Sequence, residues 1–148
     1  MAQKPFDEYE VGESFESYAR TVTETDIVNF TCLAGLKLPI FIDEEFCRKH
    51  SPFGTRIAPS FLTCALAAGM MEEIVGPYTI ANVGLDAFRF HVPVKIGDTL
   101  HIRVTVKAKK DTSKPDRGVL TYLTEVINQR DEIAAQFTSS NLMRKGRL

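Results

Sequence analysis

Apolar and polar positions change their spacing twice along this chain, and those changes divide it into elements. Residues Glu13 to Val22 alternate loosely and predict a first strand. Thr23-Glu24-Thr25-Asp26 then has the form of a capping box, a hydroxyl followed three residues later by an acid. Ile27, Phe30 and Ala34 mark one face of the helix that follows, and Gly35 is its natural stop. Asp43 is placed to cap a second, short helix through Glu44, Glu45, Phe46 and Cys47, which ends at Ser51-Pro52. Pro59 suits a first helical position, and Phe61 to Met71 carries no charge on any face, so a central helix is expected over about residues 59–75, ended by Gly76-Pro77.

Beyond that helix the period falls to two. Phe88, Phe90, Val92 and Val94 alternate with polar residues, and Gly97-Asp98 makes a turn. Leu100, Ile102, Val104, Val106 and Ala108 then alternate with His101, Arg103, Thr105, Lys107 and Lys109, as expected of an antiparallel strand with one wet face. A polar loop over Asp111 to Arg117 leads to strands over Val119 to Asn128 and Glu132 to Leu142, and residues 143–148 are expected to form a loose basic tail. A helix apolar all round must be covered all round, and the strands need cover for their apolar faces. Curling an antiparallel sheet around the helix meets both needs, giving an α+β fold. Open sheet edges favour pairing with a second copy, so a dimer is expected.

Composition narrows the function classes. The chain of 148 residues is 44% hydrophobic and 25% charged, enough for one domain with one core and too apolar for disorder. With 18 Lys+Arg against 19 Asp+Glu the net charge is -1, which removes the electrostatic case for nucleic acid or an anionic membrane. No run is long enough to span a bilayer, and Met1 to Glu8 has no apolar stretch, so no secretory signal and a cytoplasmic location are expected. Cys32, Cys47 and Cys64 are an odd count without a C-x-x-C pair, each inside an apolar helical pattern. Buried free thiols are expected, with no metal site.

Five segments fall in a distinctive order: Phe6 to Gly12, Arg20 to Ile27, Pro39 to Glu45, Phe53 to Ala58, and Val92-Pro93-Val94-Lys95-Ile96-Gly97-Asp98. In that order the chain resembles the MaoC-like hydratase/dehydratase family of hotdog-fold proteins, over residues 1–148 as a single domain. The resemblance implies a dimer that holds an acyl thioester, on coenzyme A or an acyl carrier protein, with no separate cofactor. Active members add water reversibly across a trans-2-enoyl thioester to give the (R)-3-hydroxyacyl product. An Asp and a His converge on one water, and a backbone N–H at the start of the central helix polarises the thioester carbonyl.

The family's loop reads Gly-Asp-x-Asn-Pro-aliphatic-His-x-Asp, whereas this chain reads Gly35-Leu36-Lys37-Leu38-Pro39-Ile40-Phe41-Ile42-Asp43. Gly35, Pro39 and Asp43 keep the frame. The Asp position holds Leu36, the Asn position Leu38 and the His position Phe41, none of which carries a side-chain proton to exchange. The family's Ile-Ala-His-Gly step into the helix is Ile57-Ala58-Pro59-Ser60, and a helical Ser or Thr one turn on is Ala65. The resemblance therefore carries over no catalytic residue. It implies a binding surface of Ile57, Ala58, Pro59, Ser60, Leu36 and Phe41, with the Ser60 N–H facing the thioester and a drier cleft than in active relatives.

Other groups are weaker candidates. Asp43 is accounted for by its capping role, His50 by a helix end, and His91 and His101 by the polar side of strands. Lys107, Lys109, Lys110 and Lys114 cluster at one hairpin, where coenzyme A phosphates could meet them, as they could Arg89 across a dimer. A thioesterase would want a carboxylate near the start of the central helix, yet its first acids are Glu72 and Glu73. The readings left open are a binding protein without standard hydratase activity, as a homodimer or beside a related catalytic hotdog subunit, and, as alternatives, an active hydro-lyase with altered chemistry or a hotdog thioesterase.

Overall fold

The computed structural model describes residues 3–148. Helix α1 (Glu24–Ala34) starts where the sequence says it should. Asp26 N–H donates to Thr23 Oγ1 at 3.1 Å while Thr23 N–H donates to Asp26 Oδ2 at 2.8 Å, and Gly35 closes the helix at φ 68°. The expected first strand is two short pieces, β1 (Ser14–Glu16) and β2 (Arg20–Thr21), both paired to the later strand over Thr99–Asp111. A one-turn helix α2 (Pro39–Ile42), absent from the sequence reading, precedes α3 (Glu44–His50), whose Phe46 N–H donates to Asp43 Oδ1 at 2.8 Å.

Helix α4 (Ser60–Val75) is the central element, with Pro59 as its cap rather than its first residue. Leu62, Thr63, Ala67, Met70, Met71, Ile74 and Val75 are buried against a sheet ordered β1-β4-β5-β6-β3, formed with β3 (Thr79–Phe90), β4 (Thr99–Asp111), β5 (Arg117–Ile127) and β6 (Ile133–Arg144). The inward residues of β4 and β5, among them Leu100, Ile102, Val104, Val106, Leu120 and Val126, complete one core, each worth about 1.5–3 kcal/mol on burial. The sheet wraps one side of α4 only. Phe61 remains 71% exposed, with Ala65, Ala68 and Gly69 open beside it, so a single chain does not cover this helix all round.

Two strand expectations need correction. β3 begins at Thr79, well before Phe88, and ends at Phe90, so Val92 and Val94 lie in a connecting segment that runs to the Gly97-Asp98 turn. Pro93 has no N–H to give a ladder, and the segment bonds instead through His91 N–H to Ala134 O at 2.8 Å and Ala58 N–H to Val94 O at 2.7 Å. β3 is an edge strand paired to β6 alone, with Val83 and Leu85 more than half exposed.

Residues 143–148 are not a loose tail. Met143 is fully buried in β6, Lys145 N–H donates to Asp116 O at 2.9 Å, Gly146 N–H donates to Asp7 Oδ1 at 2.9 Å, and Arg147 pairs with Glu8 at 2.6 Å. The opening turn (Phe6–Glu8) is held from the other side by Lys109, whose ammonium donates to Tyr9 O and lies 4.9 Å from the Phe6 ring centroid. Phe6 itself lies against the bare Cα of Gly118, where a methyl group would collide with the ring.

Candidate functional site

Three segments converge at the N-terminal end of α4: the loop Gly35 to Asp43, the approach Thr55 to Pro59, and residues 90–94. Ile57 N–H donates to Ile40 O at 3.1 Å, Ile57 bridges to Lys95, and Ala58 N–H reaches Val94 O. The approach segment is therefore clamped between the loop and the connection after β3. Arg56 sets its angle. The guanidinium binds Glu24 of α1 and, through Nε at 2.9 Å, Glu44 of α3, while Thr55 Oγ1 donates to Glu44 Oε1 at 2.8 Å. Arg56 first, then Thr55, holds the Glu44 carboxyl down at about 2, so it stays charged across the neutral range.

Helix α4 has no side-chain cap. Its first intrahelical donors are Leu62 and Thr63, both to Pro59 O, so the Ser60 and Phe61 N–H groups have no protein acceptor among the described residues. Two donors without an acceptor thus sit at the positive end of the helix dipole, an arrangement suited to a carbonyl or oxyanion. A cavity of about 280 Å³ lies beside it, lined by Ile57, Ala58, Ser60 and Thr63 and closed by Phe90, His91 and Val92. Thr63 is only 3% exposed.

Of the residues expected to bind, Ile57, Ala58 and Ser60 come together at this cavity, with Pro59 buried between them. Leu36 and Phe41 are half-buried in the neighbouring loop and line neither this cavity nor the larger one toward the C-terminal end of α4. The loop that holds them has no proton-exchanging side chain between Gly35 and Asp43 except Lys37. His91, read from sequence as a solvated strand residue, is exposed yet lines the cavity, with Nε2 3.3 Å from Gln136 Oε1. Its position, like that of Thr63, is set by the turn at Pro93 and by helix phase, neither of which marks a site in sequence.

A second, larger cavity of about 630 Å³ runs along the exposed side of α4 toward its C-terminal end, between Cys64, Ala68 and Met71 and the inner faces of β3, β5 and β6. Most of its wall is apolar, but Tyr122, Ser139, Asn82 and Asn141 form part of the floor, and Asn82 Nδ2 donates to Asn141 Oδ1 at 2.9 Å. Only strand register brings these four side chains together, so no local pattern in the sequence marks the cavity.

The remaining candidates are accounted for elsewhere. Lys109 is committed to the amino-terminal segment, while Lys107, Lys110, Lys114 and Arg89 are exposed. Cys47 is buried, as expected, and burial followed by the Glu44 and Asp43 carboxylates pushes its thiol up. Cys64 is half-buried and burial pushes it up to about 11, but Cys32 is exposed, on the outward face of α1. His50 is exposed at the end of α3, and His101 lies on the wetter face of β4. Among the described residues no group of three or more His, Cys, Asp or Glu stands together as metal ligands would, and no helix is long and apolar enough to cross a membrane.

A central helix gripped by an antiparallel sheet, with one cavity at its start and another toward its far end, defines an α+β hotdog fold. Residues 7–128 match the family model described as a MaoC-like domain, and the chain belongs to the MaoC-like hydratase/dehydratase family. It is similar to Protein MaoC of Klebsiella aerogenes, 38% identical over 107 residues, covering 72% of this chain and 32% of that protein. It is also similar to the (R)-specific enoyl-CoA hydratase of Rhodospirillum rubrum, at 33% identity over 80% of this chain and 78% of that enzyme. The solved structure of a monoamine oxidase regulatory protein from Archaeoglobus fulgidus superposes with a TM-score of 0.88 at 35% identity, covering 99% of this chain and 100% of that one. This chain spans about a third of the length of the Klebsiella protein.

Proposed function

We propose that this chain binds an acyl thioester, carried by coenzyme A or an acyl carrier protein, without the standard enoyl hydration of its family. The thioester carbonyl would accept from the Ser60 N–H at the start of α4, and the acyl chain would run along α4 into the larger cavity. One observation carries this reading: the helix start, its free donors and its clamped approach are intact, while the loop beside it has hydrocarbon at Leu36 and Phe41. Hydration needs a group to take a proton from water and another to deliver one to carbon. Neither side chain can do so.

The edge strand β3 and the uncovered face of α4 support a dimer, formed with a second copy or with a related catalytic hotdog subunit. Free thiols fit a reducing, cytoplasmic setting, and the thioester ligand fits fatty acid metabolism. The purified protein would be titrated calorimetrically with butyryl-CoA and assayed with crotonyl-CoA by loss of enoyl absorbance. Binding without turnover is the expected result, and turnover by the lone polypeptide would overturn it. A second reading, an active hydro-lyase with altered chemistry, is favoured by His91 and Thr63 at the cavity beside Ser60. Turnover abolished by His91→Ala would establish it.

A further inference from the structure

The inward face of β6 runs Phe137, Ser139, Asn141, Met143, all buried, so two polar side chains sit in the middle of an otherwise apolar face. A buried polar group left unpaired costs about 1–3 kcal/mol, and protein interiors pair nearly all of them. Asn141 is paired with Asn82. Ser139 is 4% exposed and lines the larger cavity. Tyr122, 1% exposed, stands opposite Ser139 in the β5–β6 ladder and lines the same floor, its phenol beside the Asn141 amide. Thr79 Oγ1, also at this cavity, is buried and unpartnered. The site holds more hydrogen-bonding capacity than the protein itself uses.

We propose that the floor of the larger cavity recognises a neutral oxygen-bearing group on the acyl chain, a hydroxyl or ketone held by Ser139 and Tyr122, so that oxygenated acyl groups bind in preference to plain alkyl ones. This rests on the acyl-thioester reading. Charge restricts the class further. Among the described residues no Lys, Arg or His lines the cavity, and Glu72 stands at its wall. A carboxylate there would lose its water without gaining a counter-charge. The distance restricts the chain length: from Ser60 to Ala68 and Glu72 is about 12 to 18 Å along the helix, so the recognised group lies far from the thioester.

The test is calorimetric titration of the protein with octanoyl-CoA, its ω-hydroxy analogue and its ω-carboxy analogue. The hydroxy form is expected to bind about tenfold more tightly than the plain form, in line with one or two buried hydrogen bonds, and the carboxy form most weakly. Ser139→Ala is expected to narrow the hydroxy-to-plain ratio to about twofold. Ser140→Ala, whose hydroxyl faces the other side of the sheet and meets Thr121 at 2.9 Å, is expected to keep it. Equal affinities in the wild type, or a preference that survives Ser139→Ala, overturns the inference while leaving the thioester reading standing. If none of the three thioesters binds, the thioester reading falls by itself. The floor is then judged with octanol against the terminal diol of the same length by ligand-observed NMR: a diol preference lost in Ser139→Ala upholds it, and no preference overturns it.

Discussion

At Leu36 and Phe41 the side chains are hydrocarbon on a backbone that has kept its glycine stop, its proline and its capping acid. None of the hydrogen bonds described around this loop uses either side chain, so replacing both leaves the scaffold its supports. Leu36→Asp together with Phe41→His is expected to produce crotonyl-CoA hydration measurable as falling enoyl absorbance, with neither single change sufficient. A folded double variant without turnover would mean that the acyl group is held out of the loop's reach. The thiols give a second prediction at this scale. Because burial pushes Cys64 up to about 11, little of it is thiolate at neutral pH, whereas Cys32 faces solvent. Iodoacetamide at neutral pH should therefore mark Cys32 well before Cys64 or Cys47, as read by peptide mass spectrometry.

Among the elements, those written as local chemistry were legible in sequence: the Thr23–Asp26 box, the Asp43 cap, the alternating β4 and the charge-free α4. β3 was not, because register shifts at Thr79/Ala81, Asn82/Gly84 and Asp86/Arg89 break the two-residue period, and an edge strand leaves apolar and polar residues alike in the open. α2 is a single turn, closed by Asp43 N–H to Pro39 O and held from outside by Ile57 N–H to Ile40 O, too short to leave a periodic pattern. The polar floor of the larger cavity was invisible for a related reason: Ser139 and Tyr122 are distant in sequence and adjacent only across a ladder. Glu44 joins α3 to the approach of α4 and gives a pH prediction. Its folded value of about 2 lies below the ordinary 4.5, so its contribution is complete above pH 4.5 and disappears as pH falls toward 2. The Tm difference between wild type and Glu44→Gln should be constant at neutral pH and shrink through that acid window. A difference that persists at pH 2 would point to packing instead.

For the whole molecule, the uncovered flank of α4 and the free edge of β3 lie on the part of the surface where one chain's own sheet gives no cover. Val83→Lys with Leu85→Lys is expected to convert a dimer to a monomer in sedimentation velocity, since charges at a sheet edge oppose strand pairing. Unchanged sedimentation of a dimer would move the interface elsewhere. Elsewhere the surface is tied down. There Asp7 and Glu8 grip residues 146–147 while the Phe6 ring rests on Gly118. The turn over Phe6–Glu8 and residues 146–147 consequently share a latch, so loosening one loosens the other. Amide deuterium uptake at both ends should rise in step, and Gly118→Ala, by evicting the aromatic ring, should quicken them together while the middle of the barrel-like wrap keeps its slow exchange.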